Sequence, residues 1–163
     1  MSLYDNRIIN NTVSHNDNGG ISSLSNIGGV IRGNTVENNG LLGCDFCTSP
    51  DDGIGVQALQ QADPGTRTVV SYNQVRGNAI DGIEVLSQGN RILNNDATGN
   101  HDRDLSDSHP DCDANIWSGN IYVTAYPDCT TADNTQVAAP AAAISVAPVN
   151  APAPVNRRVP PRS

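Results

Sequence analysis

One feature constrains this chain more than any other: asparagine returns at a fixed interval. In Asn73-Gln-Val-Arg-Gly-Asn78-Ala-Ile-Asp-Gly82-Ile83, an apolar residue follows the first Asn by two positions, a second Asn follows by five, and Gly-Ile comes four after that. The pattern recurs as Asn11-Thr-Val13, Asn16, Gly20-Ile21, and as Asn34-Thr-Val36, Asn39, Gly53-Ile54. It recurs again as Asn95-Asp-Ala97, Asn100, Asp104-Leu105, and Asn120-Ile-Tyr122 reads as a last, frayed copy. The leading residues Asn11, Asn34, Asn73, Asn95 and Asn120 are 23, 39, 22 and 25 positions apart. Three intervals agree and the fourth is one period with an insertion. Self-similarity at this period is the mark of a solenoid.

The apolar residues say which kind. Ile8, Ile31, Val70, Ile92 and Trp117 stand three positions before the leading Asn, and Val13, Val36, Val75, Ala97 and Tyr122 two after it. Isolated apolar residues in short polar runs, many of them β-branched, suit strands that bury one face. Gly or Asn interrupts every run, so helix is disfavoured. Asn tolerates the left-handed backbone of a sharp bend. If every coil bends at the same place, the carboxamides stack at a strand spacing of roughly 4.8 Å and hydrogen-bond as a ladder. Each coil then has room for three short strands.

This Asn/Gly/Ile spacing resembles the right-handed parallel β-helix repeat family of the pectate-lyase-like superfamily, with a texture similar to NosD-type and mannuronan-epimerase-type repeats of secreted bacterial proteins. The resemblance covers residues 4–126. It implies an all-β, right-handed parallel β-helix solenoid of four to five coils over residues 1–130. Residues 131–163, rich in Ala, Pro and Val towards the end, read as a disordered tail. The first coil begins at once, with no capping element, which reads as a truncated chain whose earlier coils and signal peptide are missing.

Charge narrows the partners. Residues 1–135 hold six Arg against seventeen acids, a net charge of −11. Such a body argues against nucleic acid. No apolar run is long enough for a transmembrane helix. Two insertions, 41–51 and 57–67, flank the strand at 53–56, and such loops are where solenoids place binding surfaces.

The four cysteines point to an oxidising compartment, secreted or at the cell envelope. Cys112 and Cys129 bracket the last coil and are expected to pair. Cys44-Asp-Phe-Cys47 lacks both a thioredoxin-type context and a second zinc half-site, and reads as a short disulfide stapling its loop. The motif's registration also stacks Asp52, Asp81 and Arg103 on one edge, with Glu84 pointing outward beside them. In the resembled superfamily, calcium-assisted lyases hold Ca²⁺ with carboxylates while a basic residue abstracts a proton. By that resemblance Asp52, Asp81 and Glu84 are candidate Ca²⁺ ligands, and Asp81, Glu84 and Arg103 candidate catalytic residues. Asp52, His101 and Asp102 are candidate binding residues. Ordinary turn residues on a solvated rim account for the same acids. The Asp-Pro-His-Asp signature of the mannuronan epimerases is absent. The leading expectation is a non-catalytic or incomplete secreted module with a carbohydrate-facing surface. The alternatives are a Ca²⁺-dependent polysaccharide lyase or epimerase on acidic glycans, and a structural spacer of the envelope.

Overall fold

The computed structural model describes residues 3–40, 52–58 and 66–139. The insertion residues around Cys44 and Cys47 lie outside them, as does most of the tail. Every strand pair among the described residues is parallel, and the strands build three sheets that wrap around one axis. The first face stacks Arg7–Ile9, Val30–Arg32, Val69–Ser71, Arg91–Leu93 and the start of Ile116–Tyr122. The second stacks Thr12–Ser14, Thr35–Glu37, Gln74–Arg76, Asp96–Ala97 and the end of Ile116–Tyr122. The third stacks Ile21–Leu24, Ile54–Gln57, Ile83–Leu86, Leu105–Asp107 and Ala125–Tyr126. Each face takes one strand from each of five coils, as the period requires.

The core follows from register. Ile8, Ile31, Val70, Ile92 and Trp117 are direct partners on the first face, and Val13, Val36, Val75 and Ala97 on the second. Ile21, Ile54, Ile83 and Leu105 form the third inward column. Together they make one continuous apolar cluster, with Ile8 and Val13 half-buried at the first coil. A side chain that is apolar in one coil meets its equivalent above and below, so small β-branched residues suffice to fill the interior.

The asparagine column exists. Asn11 Nδ2 donates to Asn34 Oδ1 at 3.1 Å, Asn34 to Asn73 at 3.0 Å, Asn73 to Asn95 at 2.9 Å and Asn95 to Asn120 at 2.9 Å. Each interior amide is used to capacity. Asn73 Nδ2 also donates to Ile31 O, and its Oδ1 accepts both the backbone N–H and the Nδ2 of Asn34. Two donors and two acceptor sites are all that a carboxamide has. The motif's second Asn forms a parallel column, Asn16 to Asn39 to Asn78 to Asn100, at 2.8 to 3.0 Å.

Three expectations are corrected. The ladder asparagines are not the left-handed residues. Their predecessors are: Asn10, Gly33, Tyr72, Asn94 and Gly119 before the first column, and His15, Asn38, Gly77 and Gly99 before the second, all have φ between +54° and +76°. The bend occurs one residue early and turns the next side chain inward to its column. Asn120 is not frayed either. It is fully buried and donates to Asn134 Oδ1 at 2.8 Å. The solenoid therefore runs past residue 130, through the strand Asp133–Gln136, which pairs with Ile116–Tyr122. That strand covers the stack with polar residues, so it carries none of the apolar alternation that marks the coils.

Cys112 and Cys129 are bonded, as expected, with Cα atoms 6.0 Å apart. They tie the turn after the fourth coil to the short helical turn Asp128–Thr130 that follows the fifth.

Two outcomes test this account. Asn73→Ala strands four hydrogen-bond partners in the interior and should lower stability by about 3–5 kcal/mol, against less than about 1 kcal/mol for Asn11→Ala at the exposed end. Urea denaturation measures both, and equal effects would refute the ladder. Reduction of Cys112–Cys129, which closes a 17-residue separation, should cost about 3 kcal/mol, seen as a lower midpoint in reductant with secondary structure retained.

Candidate functional site

The third face gathers the residues singled out by charge. Gly20, Gly53 and Gly82 stack at its entry because nothing larger fits. A Cβ on each would stand 2.6, 2.7 and 2.6 Å from the carbonyl oxygens of Gly53, Gly82 and Asp104. Each position just before that column is then held at a corner. Asp52, Asp81 and Arg103 occupy it in coils 2, 3 and 4, as the spacing predicts. The Asp81 N–H donates to Asp52 Oδ1 at 3.3 Å, and the Arg103 N–H to Asp81 Oδ1 at 3.0 Å. The expected stack is therefore real, but its links are backbone donors to carboxylates.

Asp104, one further on, does not continue the glycine column chemically. It ends the second asparagine column: its Oδ1 accepts the N–H and Nδ2 of Asn100, and its Oδ2 the N–H groups of Val123 and Thr124. A carboxylate has acceptors and no donors, so it closes a ladder that an amide would continue.

Glu84 lies one residue past Ile83 in the outward row, opposite Gly55 of the preceding coil. Its carboxyl reaches the Asp52 carboxyl, which is buried with only 2% exposure. Asp52 Oδ2 has no donor among the described residues. Two acceptors face each other, and a proton between them removes the conflict. Burial first, then the Glu84 carboxyl, push Asp52 up to about 9. Glu84 is raised by burial, with the Asp52 hydrogen bond and Arg103 opposing the rise. Asp81 is also raised by burial, against the hydrogen bonds of Ser106 and the Arg103 N–H. The two carboxyls therefore share a proton, and burial favours keeping it.

The Arg103 guanidinium lies over the exposed Tyr126 ring, 5.0 Å from its centroid, with Asp102 3.9 Å away. Glu84, Ser106 and Tyr126 are register partners, so they form one outward row. At the other end of the face, a cavity of about 170 Å³ is lined by Asn18, Gly19, Gly20, Ile21, Ser22, Asp52 and Gly55. It exists because coil 1 has Gly19 where the next coils have Asp52 and Asp81. A cavity of about 150 Å³ holds a benzene ring, so this one has room for a single six-membered ring.

His101 is exposed at the corner between the second and third faces, beside Asp102. Its backbone N–H is tied to Asn78 O, and no hydrogen bond joins its ring to the carboxyl cluster. Sequence reasoning missed Tyr126, Ser106 and the proton link between Asp52 and Glu84. The last required knowing that Gly55 leaves an opening opposite Glu84.

A calcium ion does not fit the described residues. No three His, Cys, Asp or Glu side chains among them gather at metal-holding distance. Asp81 Oδ1 accepts the Arg103 N–H. No step is derived through such an ion.

The family model for the right handed beta helix region matches residues 1–135, and the chain belongs to that family. No curated protein and no solved structure matches it.

The carboxyl pair has a signature in stability. Asp52 binds its proton more tightly folded than unfolded, from 3.8 up to about 9. Its contribution is fully present below pH 4 and is lost as pH rises towards 9. Glu84 and Asp81, both raised, act in the same direction. Thermal midpoints should therefore fall from pH 5 to pH 9, and Asp52→Asn, which keeps a donor for Glu84, should flatten that slope. A wild-type midpoint that rises over this interval would contradict the assignment.

Proposed function

We propose that this β-helix is a secreted glycan-binding module that lays a saccharide along its third face, from the cavity beside Asp52 past Glu84 to Tyr126. The observation that carries the reading is the continuity of this strip. It begins in a cavity the size of one sugar ring, passes the half-buried Glu84 carboxyl, and ends on an aromatic ring fixed from one side by Arg103. Saccharides are bound by that combination: ring faces against apolar or aromatic surface, hydroxyls against a few fixed polar groups. Over five coils the strip is about 20 Å long. The secretion part rests on the cysteine usage, consistent with the Cys112–Cys129 bond.

An enzymatic reading has one favouring observation. Asp52 keeps its proton at neutral pH beside Glu84, the arrangement of a carboxylic acid and a carboxylate that glycoside chemistry employs. Asp52 lines the cavity with only 2% exposure, and binding is taken as the primary function.

A glycan array supplies the test. At least one oligosaccharide should bind, and both Tyr126→Ala and Arg103→Gln should weaken it about tenfold with the thermal midpoint held. A folded protein that binds no glycan on the array would sink the reading. Release of shortened products on incubation would move the function from binding to catalysis.

A further inference from the structure

The three faces do not share charge evenly. Four of the six arginines in residues 1–135 lie on the first face: Arg7, Arg32, Arg67 and Arg91, one in each of coils 1 to 4. Arg7 and Arg91 share an outward row with Val30, Val69 and Ile116, and Arg32 stands in the row beside it, between Ile9 and Ser71. Arg67 is at the corner two residues before Val69. All four side chains are exposed. Together they span about 14 Å along the axis and about 13 Å across it, from strand spacing and rise.

No ion pair to any of these four is found among the described residues. Among the described residues the arginines found in ion pairs are Arg76 and Arg103, on other faces. Arg32 lies over the Tyr72 ring at 5.1 Å, a contact that orients the guanidinium and leaves its charge in place. The first-face strands of coils 1 to 5 contain no acid. Described acids border it at its corners and end: Asp5 before Arg7, Asp113 against Gln88, and Asp133 beside Ser118. Two arginines and seventeen acids remain elsewhere in residues 1–135, a net −15 against +4 on this one face.

We propose that the first face is a docking surface for a linear anionic glycan, lying along the solenoid axis with its acidic groups against the guanidinium groups. A repeating scaffold that offers one cation per coil matches a repeating polymer. Ile9, Val30, Val69 and Ile116, interleaved between the arginines, meet the C–H faces of the sugar rings. Arginine suits this role because its planar fork takes a carboxylate or sulfate with two hydrogen bonds. The face carries no protruding apolar wedge or amphipathic helix for a lipid surface. It offers one aromatic ring, already covered on one side by Arg32, where single-stranded nucleic acid needs a series of stacking platforms. The surrounding negative charge repels any polyanion too broad to stay on the strip. This surface is separate from the third-face strip and does not depend on it.

The experiment uses the full chain, with carboxymethyl cellulose and hydroxyethyl cellulose as a charged and an uncharged probe on the same backbone. Calorimetry is run in EDTA at about 20 mM and about 300 mM salt, which brackets strong and weak screening. The charged polymer should bind at low salt and weaken at high salt, and the uncharged one should not bind. The double variant Arg32→Gln/Arg91→Gln should weaken binding about tenfold, with its thermal midpoint confirming the fold. Arg76→Gln on the second face should bind as wild type. Unchanged affinity in the double variant, equal binding of both polymers, or loss of binding in EDTA would overturn the proposal. So would binding to phosphatidylserine vesicles or to an oligonucleotide without binding to the charged polymer. Arg32→Gln/Arg91→Gln leaves the third-face strip intact, so its binding to the glycan array separates failure of one surface from failure of the other.

Discussion

The carboxamide column is the interaction on which the rest depends. A short strand of three or four residues buries too little to hold itself in register. A stacked amide does what the strand does not. It joins one coil to the next by side chain and backbone together, and it leaves no buried donor or acceptor unmet. A one-residue slip in any coil would break four hydrogen bonds at once and turn an apolar column outward. Two such columns, at Asn34 and Asn39 in the second coil and their equivalents above and below, flank the second face and set the register for the other two. Residues as small as Val and Ile then fill the interior, because each meets its own kind.

The same stacking produces the electrostatics. Successive coils place equivalent positions about one strand spacing apart, so any charge repeated in the motif becomes a line of charge. At the third-face corner this brings Asp52 and Asp81 into a partly dry edge, where backbone N–H groups satisfy one oxygen of each and a shared proton with Glu84 satisfies what is left. On the first face it spreads four guanidinium groups over four coils without acids between them. One molecule thus carries a basic face on an acidic body. That separation is a product of winding, since in the linear sequence the arginines are scattered.

The ends of the solenoid show how a repeat is brought to a stop. The second asparagine column closes on Asp104, which accepts from the amide below and from two N–H groups of the next turn. The first column closes on Asn134, in a polar strand that covers the fifth coil, and the Cys112–Cys129 bond ties that region down. One column ends on a carboxylate that only accepts, the other on an amide whose own N–H turns back to Thr130 O in place of a further coil.

The sequence by itself determined the period, the parallel winding and the inward columns. Asn, Ile and Val at fixed offsets allow few other ways to bury the apolar residues while meeting the amides' hydrogen bonds. It also located Asp52, Asp81, Glu84 and Arg103 at neighbouring positions, since register follows directly from spacing, and it paired Cys112 with Cys129. What it did not determine is which way each bend turns. Left-handed φ falls on the residue before each column, a place filled by Asn, Gly, Tyr or His, and such a mixture leaves no readable mark. The covering strand Asp133–Gln136 was hidden because an end cap is defined by the coil beneath it and not by any alternation of its own. The proton between Asp52 and Glu84 and the basic first face belong to tertiary structure alone. Both depend on distances between residues 24 to 35 positions apart, which exist only once the coils are stacked.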